Sequence, residues 1–201
     1  MLRFALVPML LGLAACGTLG KLDASAERKR EIADFSRVVV GEFVANDTRE
    51  AKDEDEARRR AEEIDAGRQA FSEKIAQELR EVGAFDEVLV GEASGPALRI
   101  SGSIDQWEPG NVAARSLVGF VGKSEFDARV VFGDNETGQE LGTLKVNRNS
   151  WPLPIGTFTN VVQSVELHME LAARRVAHEL ARAKGLEIPE PTGEDEQAAA
   201  H

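Results

Sequence analysis

Residues 37–44, RVVVGEFV, are apolar at successive positions, so both faces of any strand they form avoid water. A strand of that kind belongs in the interior of a sheet, and the rest of the chain must build that sheet and cover it. Asp47 and Glu50 then have the spacing of a capping box, which predicts a helix start. The first part of this helix, AKDEDEARRRAEE, is polar nearly all round, with Glu54, Asp55 and Glu56 each four residues before Arg58, Arg59 and Arg60. Such pairs support an exposed helix, either as a solvated face or as a place where a charged partner docks. After Gly67 the pattern changes to an apolar stripe, Phe71, Ile75, Leu79 and Val82, which packs on the sheet until Gly83 stops the helix.

The second half reads mostly as strands. Residues 85–90 form a short one, and GEASGP turns the chain. Leu98, Ile100, Gly102 and Ile104 alternate with Arg99, Ser101, Ser103 and Asp105, the pattern of a strand with one wet face. Strands over 125–132 and 141–146 flank DNETGQ, a hairpin turn in which Gly138 takes the left-handed conformation. A long helix over 160–183 buries Val161, Val165, Met169, Ala172, Val176 and Leu180, and Gly185 ends it. The expected class is α+β, a mainly antiparallel sheet of about five strands with two long helices packed on one face.

The amino terminus carries one charge, Arg3, before the apolar run 4–13, which is about half of the ~20 residues that a helix needs to cross a bilayer. It is the core of a signal peptide. Leu13, Ala14, Ala15 and Cys16 resemble the lipobox of bacterial lipoproteins, and the alternative is an ordinary secretory signal with an incidental cysteine. The resemblance implies removal of residues 1–15 and lipidation of Cys16, the single cysteine of the chain. Gly17, where an Asp would favour retention at the inner membrane, resembles the pattern sent to the outer membrane, with the domain facing the periplasm. Residues 16–34 are polar and read as a tether, residues 35–186 as a single domain, and the acidic, proline-containing stretch 187–201 as a disordered tail. With 24 basic and 35 acidic residues and a net charge of −11, the surface repels nucleic acid and anionic headgroups. Attachment to a membrane then has to come from the lipid.

Chemistry is sparse. The GKS at 122–124 is not a phosphate-binding loop: Leu117 stands where the pattern needs its first Gly, and a strand follows instead of a helix, so no nucleotide is expected. His168 and His178 lie roughly 280° apart around their helix, which excludes a shared metal-binding face, and each reads as a boundary residue, while His201 ends the tail. Asp134, Asn135 and Glu136 lack the further ligands of a calcium loop and read as the hairpin turn. No catalytic residue, metal or cofactor is expected. Residues 107–123, WEPGNVAARSLVGFVGK, are long for a connection between strands. Arg115, Leu117, Val118, Gly119, Phe120, Val121 and Gly122 within them either extend the core or form an apolar interaction loop, with the glycines giving flexibility and close packing.

The lipobox Cys16, the early VVV strand, the F-x-x-x-I-x-x-x-L helix ending in Gly, L-x-I-x-G, then R-S-L-V-G-F-x-G-x-S over 115–124 and D-N-E-T-G occur in this order. Together they resemble, over about residues 35–184, a family of bacterial lipoproteins known as domain of unknown function 4410. Val121 and Lys123 depart from its small-residue pattern. The organisation is also similar, at the level of fold alone, to the lipoprotein of the curli secretion channel. The resemblance implies a lipid-anchored envelope protein that acts by binding or assembly, with an envelope protein or a second copy as partner. An oligomeric export component using the 112–122 loop and an envelope hydrolase are the alternatives.

Overall fold

The computed structural model describes residues 17–46, 50–108, 124–149 and 164–189. The apolar run forms β2, Arg37–Ala45, and Val38, Val39 and Val40 are fully buried, as a central strand requires. Among the described residues three helices accompany six strands: β1 (Gly17–Leu19), α1 (Ala26–Asp34), β2, α2 (Glu54–Val82), β3 (Glu87–Val90), β4 (Leu98–Glu108), β5 (Glu125–Asp134), β6 (Glu140–Asn149) and α3 (Val165–Ala183). The sheet order is β1-β6-β5-β4-β2-β3.

The α+β class holds, but the sheet is mixed and not mainly antiparallel. β4, β5, β6 and β1 pair antiparallel, whereas β2 pairs parallel with both β3 and β4. The reason is α2: it carries the chain from the far end of β2 back to the near end, so the strand that follows runs the same way. Five strands have four or more residues, and β1 is a sixth at the edge. Among the described residues the helices number three and not two. Residues 17–34, expected as a tether, supply β1 and α1, with Leu22 and Ile32 buried in the core.

α2 starts six residues later than the capping-box reading predicts. Asp53 caps it, accepting from the Glu56 N–H at 2.8 Å, and Glu56 returns its carboxylate to the Lys52 N–H at 2.9 Å. This is the same reciprocal device with an Asp in the capping position; Asp47 lies outside the described residues, and Glu50 precedes the helix. The charged pairs differ too: Arg58 meets Asp55 and Arg59 meets Glu63. β3 starts at Glu87, and Phe85 before it packs under the Lys184 ammonium, 4.9 Å from the ring centre.

One core contains inward residues of the sheet and of all three helices, which places the helices on one face. The stripes behave as their spacing requires where they are described: Phe71, Ile75 and Leu79 of α2 are fully buried, and so are Val165, Ala172, Val176 and Leu180 of α3, with Val82 at the margin, while Val161 lies outside the described residues. Aromatic rings run from Phe43 to Phe71 at 4.9 Å, to Phe126 at 5.0 Å and to Trp107 at 5.9 Å, joining β2, α2, β5 and β4. Gly67 lets α2 approach Trp107, since a Cβ there would stand 2.7 Å from the indole ring. Gly83, Gly138 and Gly185 adopt positive φ at the three chain reversals expected of them.

Candidate functional site

β3 stops at Val90, level with Val40, while β2 continues to Ala45. Among the described residues no strand pairs with residues 41–45 on that side. A glycine inside an apolar strand signals an irregularity, and here it is a bulge: the register jumps from Val40↔Ile100 to Phe43↔Gly102, three residues of β2 against two of β4. The bulge lies at Gly41 and Glu42, beside the exposed edge.

Two side chains of α2 satisfy carbonyls along this edge. Ser72 Oγ donates to the Gly41 carbonyl at 3.1 Å, and Arg68 Nη1 donates to that of Phe43 at 2.9 Å. Arg68 also pairs with Asp65. Between the strand edge and α2 lies a groove of about 480 Å³, with Glu42, Asp65 and Glu73 at its rim and Val90 and Gly91 at one end. Its one basic residue, Arg68, is already paired, so the groove is acidic. Val90, at one end of it, and Val44, which follows the buried Phe43 and faces the other side of the sheet, are two of the three exposed large apolar residues among those described, 39% and 58% accessible. An extended segment could replace the Ser72 and Arg68 donors with its own N–H groups, add to the edge of β2, and set basic side chains against the rim.

A second constellation lies at the start of β5. Ser124, the last residue of the R-x-x-x-G-F-x-G-x-S segment, is fully buried and lies 3.2 Å from Nε2 of His168, itself 2% exposed. His168 is therefore an interior residue and not a boundary one: the first turn of α3 lies against the beginning of β5. A serine with no accessible surface is not placed to attack a substrate, and the contact fixes the end of that segment to α3. His178 is half-buried, and burial, followed by Arg182, Arg174 and Arg175, lowers its pKa. The two histidines do not meet.

A third constellation grips the amino-terminal chain. Glu179 accepts the Leu22 N–H at 2.7 Å and pairs with Arg175 at 3.3 Å and Arg182 at 2.8 Å, and Arg175 Nε donates to the Gly20 carbonyl at 3.0 Å. Nothing in the polar composition of residues 17–34 announces this clamp. Its anchor residues lie far away in sequence, on α3.

Asp134 closes the β5–β6 turn as expected, accepting from the N–H groups of Thr137 and Glu136, which hold its carboxyl below the usual range. On the sheet face away from the helices, burial, with Glu125 and Asp105 nearby, raises the Asp127 carboxyl. Among the described residues no group of His, Cys, Asp and Glu is arranged to hold a metal, and no helix is long and apolar enough to cross a membrane. Cys16 and Arg115, Leu117, Val118, Gly119, Phe120, Val121 and Gly122 lie outside the described residues, as does His201. The roots of the 109–123 stretch are nonetheless placed: Glu108 and Glu125 pair with each other at one end of the sheet.

The family described as domain of unknown function (DUF4410) matches residues 38–153, more than half of the 201-residue chain, from β2 through the end of β6. No curated protein matches the sequence. Among solved structures, the chain is similar to a PelC dodecamer subunit from Paraburkholderia phytofirmans, at 13% identity and a TM-score of 0.48 over 80% of this chain and 97% of that one. It is also similar to a DUF330 protein from Xanthomonas campestris, at 9% identity and a TM-score of 0.45 over 74% and 85%. These two likenesses carry no functional information.

Proposed function

The chain belongs to the DUF4410 family, and from that premise we propose that it is a lipid-anchored envelope protein that acts by binding, not by catalysis. The observation that carries this reading is the edge of β2: five residues of strand that outrun β3 beside an acidic groove with Val90 at one end. A folded protein that leaves a strand edge open beside exposed apolar side chains either manages it as a hazard or uses it for recognition. The side chains of Ser72 and Arg68 occupy the Gly41 and Phe43 carbonyls without covering the groove, which favours use. The partner is a segment in extended conformation with basic side chains. Cys16, lipidated after removal of residues 1–15, anchors the protein in the outer membrane with its domain facing the periplasm.

Calorimetry with a short alternating Lys-Val peptide and its Glu-Val counterpart tests the groove. The basic peptide binds, more weakly as salt rises, and an Asp65→Lys, Glu73→Lys double variant loses it. Equal binding of the acidic peptide, or binding of neither, would overturn the reading. Growth of the particle with protein concentration, abolished by Val44→Asp, would reassign the groove to a second copy of the chain. The anchor is tested by intact mass: protein from membranes carries the added mass of acyl chains on a chain starting at Cys16, and a Cys16→Ser variant does not.

A further inference from the structure

We infer that the lipid anchor is joined to the fold without a spacer, so that one defined end of the domain faces the bilayer. This inference rests on the anchoring reading above. Cys16 immediately precedes β1, and β1 is part of the sheet: Gly17, Thr18 and Leu19 pair with Arg148, Asn147 and Val146. The pairing continues past the strand, with the Gly20 N–H donating to the Lys145 carbonyl at 2.9 Å and Asp23 and Thr143 exchanging hydrogen bonds at 2.8 and 3.0 Å. At Gly20 a Cβ would stand 2.6 Å from that same carbonyl oxygen, so the chain lies flush against β6. From behind, Glu179 holds the Leu22 N–H and Arg175 the Gly20 carbonyl. No free chain separates residue 17 from the body of the domain.

The register identifies the end of the molecule to which the acyl chains are attached. Gly17 pairs with Arg148, Arg148 with Phe126 and Phe126 with Trp107, one row across four strands. Glu108, Glu125 and Asn149 lie just beyond that row. α2 runs opposite to β2, with Ser72 beside Gly41 and Arg68 beside Phe43, so its charged first turns point toward the same end. The Asp134 turn is at the opposite end, eight residues of β5 away from Phe126, or about 26 Å at ~3.3 Å per residue. Acyl chains make membrane attachment stable, so an anchor fixed at the Gly17 row brings that end to the headgroups despite the acidic surface. A flexible tether would leave the orientation free.

Because acylation consumes the thiol of Cys16, an added cysteine offers the single site for a thiol-reactive fluorophore. The full acylated chain is prepared as Asn147→Cys and as Glu136→Cys, both exposed positions, and bound to phosphatidylethanolamine and phosphatidylglycerol vesicles with a nitroxide quencher on the headgroup. The label at position 147 is expected to lose most of its emission and the label at 136 to keep it. A Gly-Ser insertion of about ten residues between Cys16 and Gly17, spanning about 17 Å, should retain vesicle binding and erase the difference. Equal quenching at the two positions in the parent chain, or a difference that survives the insertion, overturns the fixed orientation while leaving the anchor intact. Failure of the chain to float with vesicles overturns the anchor itself, and the orientation with it.

Discussion

At the β6 edge the sheet is closed by a three-residue strand that α3 grips from behind, whereas at the β3 edge the partner strand stops short and, among the described residues, no strand pairs with residues 41–45. The closed half is antiparallel and the open half parallel, with β4 shared between them. Both edges present backbone that a stray strand could pair with, and only one is blocked by the chain's own segment. On the proposed reading the difference separates two tasks: the closed edge leads to the anchor at Cys16, and the open edge receives the partner.

The seam between the halves is the place to break the comparison altogether. Gly102 of β4 lies with its Cα against both neighbours: a Cβ there would come within 1.9 Å of the Arg129 carbonyl on β5 and 3.1 Å of the Phe43 ring on β2. Gly102→Val is expected to destabilise both halves together by about 4 kcal/mol or more, read as a single shifted urea transition. Glu179→Ala touches the closed edge alone. It leaves the Leu22 N–H without its acceptor and removes the carboxylate that Arg175 and Arg182 share, and a loss of about 3 kcal/mol is expected, with faster hydrogen exchange at Leu19 and Leu22 and unchanged exchange at Val39. Equal acceleration at Val39 would show that the two edges are not energetically separate.

Ser72→Ala sharpens the comparison from the other side, removing one donor from the Gly41 carbonyl at an expected cost of about 1 kcal/mol. It should also strengthen binding of the basic peptide, because an edge acceptor is freed; weaker binding would mean that the hydroxyl is itself part of the recognition. Asp127→Asn has the smallest expected effect. Its folded pKa is raised above the ordinary 3.8, so the fold prefers the protonated form and bears a penalty that is absent below the unfolded value and complete once pH has risen past the folded one. The Asn variant should be slightly more stable than the parent in urea at neutral pH and equal to it below pH 3.8. A variant less stable at neutral pH would reverse the assigned direction.

The features legible in the sequence are those that the physics writes locally. Phe71, Ile75 and Leu79 repeat with the helix, Leu98, Ile100 and Ile104 alternate with the strand, and Gly83 and Gly138 mark reversals. Strand direction is not local: whether β2 and β3 run together depends on where α2 returns the chain, and no residue of either strand states it. Residues 17–34 read as a tether because an edge strand and a nine-residue helix need to bury little more than Leu22 and Ile32, leaving a polar composition that resembles a linker. The candidate site left a single trace, Gly41 in the middle of an apolar run. Arg68 and Ser72 read as ordinary helix polar residues, and a buried His168 cannot be told from an exposed one without knowing what covers it.

α2 is 29 residues long, yet its first buried residue is Ile64. The ten residues before it are held by a cap at Asp53 and by exposed ion pairs worth a few tenths of a kcal/mol each. Energetically this is one helix with two owners: the core governs the part from Ile64 onward, and solvent and salt govern the rest. Raising ionic strength should loosen residues 54–63 and speed their hydrogen exchange while Phe71 stays protected, so the same helix is a fixed beam at one end and a lightly held arm at the other.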